Sequence, residues 1–280
     1  MTAPVSERSN RAATRLPGDV GRWAGNVVAL SVLLFLCLPI LIVVPMSFSS
    51  AEALTFPPPG LSLRWYASFF GDPRWLEAAL TSIIVALASS SLALLLGSPA
   101  AYALVRGTIR GRRALEANFL APLIVPQVIT AVALYMYFAR IGILGTMPGL
   151  VIGHTVLGLP YVILVMSVAI RTFDVRIEQV ALSLGASWSQ MFSRVLIPNL
   201  LPSLAAAWIF AFVISFDEVI ITLFLSGAHE TIPKRMFNEL VLRVNPTITA
   251  IATLLIAVSA VTLSLIILLA RRGGFLDAQR

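Results

Sequence analysis

Asp217 and Glu218 stand side by side near the end of an apolar run that extends from Leu200 to Leu225. Carboxylates inside such a run are costly and face a cavity or a partner. A helix entering at Leu200 puts the pair roughly 26 Å along its axis, near the far end of a ~30 Å hydrocarbon core. Acids near a helix C-terminus oppose its macrodipole, so helix propensity does not account for them. Two uses remain. They are counter-charges for Lys234, Arg235 or Arg243 in the following polar segment, or one of them draws a cationic substrate into the outer mouth of a pathway. Tyr135 is a candidate to line the same pathway, although with Tyr137 it also suits a membrane interface.

Few other residues could do chemistry. His154, beside Gly153 in an apolar run, reads as a packed, hydrogen-bonded histidine rather than a proton carrier, and His229 has no partner pattern. Cys37 is the only cysteine, so no intrachain disulfide or thiolate metal site can form. Two histidines with one cysteine disfavour a catalytic metal centre. There is no His-Glu-x-x-His and no Gly-x-x-x-x-Gly-Lys-Ser/Thr. No cofactor is expected, and the chain is not expected to be an enzyme.

A second kind of chemistry, recognition, is written between Arg171 and Pro198. This stretch is too charged for lipid, yet apolar residues recur at helical spacing: Ile177, Val180/Ala181, Leu184, Trp188, Met191/Phe192 and Val195. Gly185 can end one helix at positive φ. Ser187 can cap the next, with Gln190 completing a capping box, and Pro198 is expected to stop that second helix. A bent helix–turn–helix over 174–198 with an apolar face is offered to a partner. The competing reading is an amphipathic helix lying on the membrane surface.

The elements that position these residues are apolar and long. The chain is 58% hydrophobic and 12% charged, against soluble averages of about 45–50% and about 25%. Crossing a bilayer takes roughly 20 apolar residues, and six segments qualify: Ala24–Met46, Ala78–Val105, Ala117–Ala139, Pro148–Ile170, Leu200–Leu225 and Ile248–Ala270. The first exceeds a signal-peptide core and is expected to remain uncleaved. The expected organisation is a polar tail 1–22, an all-α six-span domain 23–272 embedded in membrane lipid, and a tail 273–280. Gly97 and Pro99, Pro122 and Pro126, and Gly153, Gly158 and Pro160 interrupt the spans. They serve ordinary packing and kinks, or a hydrated pathway.

The net charge of +7 is not a nucleic-acid signature, because its distribution follows a membrane. With the N-terminus inside, the inner segments hold Arg8, Arg11, Arg15 and Arg22, then Arg106, Arg110, Arg112 and Arg113. They also hold Arg171, Arg176 and Arg194, then Arg271, Arg272 and Arg280. The outer segments hold only Arg64, Arg74, Arg140, Lys234, Arg235 and Arg243. The positive-inside rule therefore puts both termini in the cytoplasm.

The stretch from Ile177 to Pro198 resembles the cytoplasmic signature of the membrane subunits of bacterial ABC importers. Gln179-Val180-Ala181 occupies the Glu-Ala-Ala triplet, preceded by Glu178; Gly185 occupies the glycine, and Val195-Leu196-Ile197-Pro198 the ending. Gly97-Ser98-Pro99-Ala100-Ala101-Tyr102-Ala103-Leu104 is similar to the end of the second core span in such permeases. Ser215-Phe216-Asp217-Glu218 to Leu225 and Asn245-Pro246-Thr247 resemble the spermidine/putrescine branch, in its second, PotC-like subunit. The resemblance implies a type I (MetI-like) permease fold in a bacterial inner membrane. It also implies a coupling helix around Leu182–Met191 that docks on a cytoplasmic ATPase. Glu178, Gln179, Ala181, Leu182, Gly185, Ala186, Ser187, Trp188, Met191, Phe192 and Pro198 are the implied coupling residues, with Trp188, Met191 and Phe192 as apolar anchors. Further implied partners are a second ATPase copy, a second homologous permease and an external substrate-binding protein, which delivers a polyamine or a related small solute; ferric iron, an opine, a sugar or an amino-acid derivative stay open as substrates. The rival reading is a secondary transporter driven by an ion gradient, which would use intramembrane acids nearer the midplane.

Overall fold

The computed structural model describes residues 18–242 and 246–272. The expected C-terminal tail, most of the expected N-terminal tail, Arg243 and Asn245 lie outside the described residues. The described chain is helical apart from one antiparallel bridge, Ser49–Leu61, which closes the proline-rich first loop.

In chain order the helices are α1 (Gly18–Ser47), α2 (Arg64–Gly71), α3 (Pro73–Arg106), α4 (Arg112–Ile124), α5 (Gln127–Ile141) and α6 (Met147–Thr172). There follow α7 (Val175–Ser183), α8 (Trp188–Met191), a π-helical turn (Phe192–Leu196), α9 (Ile197–Phe216), α10 (Ile220–Leu225), α11 (Ile232–Leu242) and α12 (Thr247–Arg272). The long helices start where the sequence supplies caps. The Asp72 side chain accepts from Arg74 N–H at 2.9 Å ahead of α3, and Thr146 Oγ1 accepts from Gly149 N–H at 3.2 Å ahead of α6. Proline follows each cap within two residues, where its missing N–H costs nothing.

Helices α3, α6 and α9 form the centre. Ala93, Ala101, Val162, Ile163, Met166, Ile170, Leu200, Ala207 and Ala211 make one buried cluster between them. Small residues let these backbones approach. A Cβ on Gly97 would stand 2.8 Å from Val162 Cγ1, so that crossing of α3 over α6 requires glycine. Helix α1, in contrast, packs on α12 and exposes Leu33, Phe35, Leu36 and Leu41. Such a face suits lipid or another subunit.

Two expected spans are not single helices. The third is broken into α4 and α5, bent by 106°. Pro126 holds Val125 in extended geometry (φ −72°, ψ 132°), and helix cannot continue through that pair. The fifth stops at Phe216 and restarts at Ile220. Among the described residues four helices are long and apolar enough to cross a membrane, or five when the bent pair counts as one span. Helix α12 covers the sixth expected span and contains an apolar stretch over Thr247–Thr262.

Candidate functional site

Two helices, α7 and α8, meet at a turn inside the stretch 174–198, and this corner is specified locally. Asp174 caps α7, its carboxylate accepting from Arg176 N–H at 2.9 Å; the hydrogen-bonded Arg176 side chain holds its pKa below the usual carboxylate range. At the other end Gly185 N–H donates to Leu182 O at 3.0 Å and Ala186 N–H to Ala181 O at 3.1 Å. That pair of bonds is a Schellman motif, and Gly185 occupies its left-handed position at φ +89°. Ser187 Oγ then accepts from Gln190 N–H while Gln190 Oε1 accepts from Ser187 N–H, which completes the capping box.

The corner presents only part of the expected apolar set. Leu184 is 83% exposed and Trp188 63%, with Val180 and Ile177 exposed beside them. Gln179 and Ser187 are exposed at their edge, and Ala186 is half-buried. Met191 and Phe192 do not project. Met191 is fully buried in the central cluster, and Phe192, Ala181 and Leu182 pack against it. Helical spacing alone cannot separate a docking face from a packing face when both lie on one short helix.

Glu178 is also turned inward. Its Oε2 accepts from Tyr102 Oη at 2.7 Å and its Oε1 from Arg106 Nε at 3.0 Å. Arg106 also donates to Phe173 O at 2.7 Å, at the end of α6. One buried acid thus joins α7 to the last turn of α3, and the same arginine joins both to α6. Sequence reasoning missed Tyr102 and Arg106 as members of this joint, because they lie more than seventy residues from Glu178.

Pro198 does not stop the second helix; the segment Trp188–Phe216 runs on as one apolar span. The π-helical turn explains this. Ile197 N–H donates to Phe192 O, five residues back, which widens the turn where the proline ring would meet the carbonyl of Arg194. Asn199 Nδ2 supplies a donor to Val195 O at 2.6 Å.

The second constellation surrounds the α9–α10 break. The side chains of Lys234 and Arg235 bind elsewhere: Lys234 Nζ to Ser226 Oγ at 2.7 Å, Arg235 to Glu230 at 3.3 Å and over the Trp75 ring. The expected pairing with these two bases is therefore corrected, and Arg243 lies outside the described residues. Glu218 is buried, its Oε1 accepting from Ile221 N–H at 2.8 Å and its Oε2 from Gln127 Nε2 on α5. It sits at the N-terminal end of α10, where a negative charge is favoured, and not inside the C-terminal turn of a continuous helix. Asp217 is exposed, and among the described residues no ion pair or side-chain hydrogen bond reaches its carboxylate. Beside the α4–α5 bend lies a cavity of about 240 Å³ lined by Pro122, Val125, Gln127, Leu157, Tyr161 and Ile214. Tyr135 is exposed on α5, and no described contact joins it to the two acids. His154 is buried and hydrogen-bonded, with Nδ1 2.8 Å from Ser215 Oγ and Nε2 2.9 Å from Thr222 Oγ1. Among the described residues no cluster of three or more His, Cys, Asp or Glu is placed to hold a metal ion.

The chain is similar to known proteins over most of its length. Residues 93–273 match the family described as binding-protein-dependent transport system inner membrane component. The spermidine/putrescine transport system permease protein PotC of Haemophilus influenzae is 30% identical over 89% of this chain and 97% of that protein. The putrescine transport system permease protein PotI of Escherichia coli is 33% identical, over 79% of this chain and 82% of its own. In fold the chain is similar to a solved bacterial ABC transporter involved in the import of the acidic polysaccharide alginate. The TM-score is 0.72 at 20% identity, covering 90% of this chain and 98% of that one. An all-helical chain with a broken third span, a corner built by Gly185 and Ser187, and this similarity over most of its length has one reading: it belongs to the family of binding-protein-dependent transport system inner membrane components.

Proposed function

We propose that the α7–α8 corner of this permease subunit is the surface on which a separate ATPase docks, and that the imported substrate is a polyamine of the spermidine/putrescine class. The observation that carries the docking is the exposed apolar face of Ile177, Val180, Leu184 and Trp188 on a corner whose shape is locally fixed. Burying such side chains in a groove removes apolar area from water at about 25 cal/mol per Å², the usual basis of a helix-in-groove joint. Glu178, Met191 and Phe192 hold the corner from behind. ATP-driven closure of an ATPase pair would move the corner, and the Glu178–Arg106 joint would pass that movement to α3 and α6. A second homologous permease and an external binding protein complete the assembly. The arginine distribution puts both termini on the ATPase side.

Two observations support the substrate class. The relatives named above are named for spermidine/putrescine and putrescine transport. Asp217 is an exposed carboxylate with no counter-charge among the described residues, set in a helix break, and an acid so placed attracts a polycation to a hydrated path. Breaks of this kind are tolerated at membrane depth where backbone lines a cavity or is buried in protein. The experiment is uptake by proteoliposomes carrying the whole complex. Spermidine accumulation should require ATP on the ATPase side and persist with a protonophore. Uptake indifferent to ATP and abolished by the protonophore would instead support a gradient-driven carrier.

A further inference from the structure

Side chains from four helices form a single hydrogen-bonded chain across the α9–α10 break. Ser89 Oγ on α3 donates to Ser215 Oγ on α9 at 2.8 Å. Ser215 Oγ lies 2.8 Å from His154 Nδ1 on α6, and His154 Nε2 lies 2.9 Å from Thr222 Oγ1 on α10. Thr222 Oγ1 in turn donates to the Glu218 carbonyl at 3.2 Å. All four side chains are buried.

Ser89 Oγ also reaches Ala86 O at 3.4 Å, so it is the Thr222 end that orients the bonds around a neutral imidazole. A hydroxyl has one proton to give. Thr222 gives its proton to the Glu218 carbonyl, so it accepts from His154 Nε2–H. Nδ1 of the neutral ring is then an acceptor, so Ser215 gives it a proton and accepts from Ser89. Neutral imidazole protonated on Nε2 satisfies the whole chain. Buried and fully satisfied, such a network specifies one geometry.

That geometry spans the interruption. One ring nitrogen of His154 holds Ser215, two residues before Asp217; the other holds Thr222, five residues after it. Asp217 N–H makes the last regular bond back into α9, to Val213 O at 3.1 Å, and helical bonding then lapses until α10, so the direction of Asp217 is set by how the two helix ends are held. We infer that His154 is a positioning residue for the Asp217 carboxylate, stapling α9 to α10 so that the break presents Asp217 to the substrate path. The inference rests on the reading of Asp217 given under Proposed function.

The test is a double-mutant cycle in the reconstituted complex, with the KM and Vmax of ATP-dependent spermidine uptake as readouts. His154→Leu removes both bonds. His154→Gln offers an acceptor and a donor in the same sense and serves as the conservative rescue. His154→Leu should raise KM by about tenfold with Vmax within about twofold, and His154→Gln should recover most of that change. In an Asp217→Asn background His154→Leu should add nothing, because coupled residues are non-additive. An unchanged KM in His154→Leu overturns the inference, as does the same rise in both backgrounds, or a loss of Vmax alone. If Asp217→Asn itself leaves KM unchanged, the carboxylate reading falls first and the positioning role falls with it. If His154→Leu does not assemble, Thr222→Val cuts the chain at one end and is judged by the same two comparisons.

Discussion

Asp217 and Glu218 are neighbours with opposite situations, and single substitutions should separate them. Glu218 accepts two hydrogen bonds and links α5 to the start of α10. Glu218→Gln should lower the thermal stability of the complex, in line with about 1–3 kcal/mol for an imperfectly satisfied buried group. Asp217→Asn should leave stability unchanged and raise the KM for spermidine, measured as initial uptake rate against concentration. An equal loss of stability in both variants would contradict this division. Glu178 forms the other decisive residue contact. Glu178→Ala leaves Arg106 beside an empty, largely buried site, a loss of about 3–5 kcal/mol in typical buried pairs. The purified complex should melt earlier, and replacing both Glu178 and Arg106 with leucine should recover part of the loss. A double variant no better than the single one would remove the joint from the account.

At the scale of elements, the crossing of α3 over α6 depends on one missing side chain. Gly97→Val should push the helices apart and cost about 1–3 kcal/mol by overpacking, and Val162→Ala should relieve it because Val162 is the nearest neighbour. A melting temperature unmoved by either change would show that the crossing is loose. Much at this scale was legible in the sequence. The Gly185 turn and the Ser187–Gln190 cap are local signals within six residues, and they formed as read. Span lengths followed from apolar runs for α3 and α6. The rest was hidden for physical reasons. The Val125–Pro126 bend was visible only as a proline, because one residue type serves kinks and breaks alike. Pro198 misled, since the wider π-helical turn accepts a ring that an α-turn would reject. Met191 and Glu178 turned inward because α8 and α7 pack on partners supplied by α3, α6 and α9, contacts that no local pattern records.

Across the whole molecule the two constellations occupy different parts of one packed centre. The corner at Gly185 and the break at Asp217 are both joined to α3 and α6, the first through Glu178, Tyr102 and Arg106, the second through Ser89 and His154. A displacement at the corner therefore has a packed route to the break. The most direct measurement is purification of the tagged chain from its native membrane in mild detergent, comparing wild type with Leu184→Asp. Leu184 is 83% exposed, so the substitution leaves the fold of this chain intact while putting a charge on the proposed docking face. An ATPase should accompany the wild type and be lost from the variant, while the second permease stays with both. If an ATPase accompanies both forms equally, or neither, the α7–α8 corner is not the docking surface and the central claim is wrong.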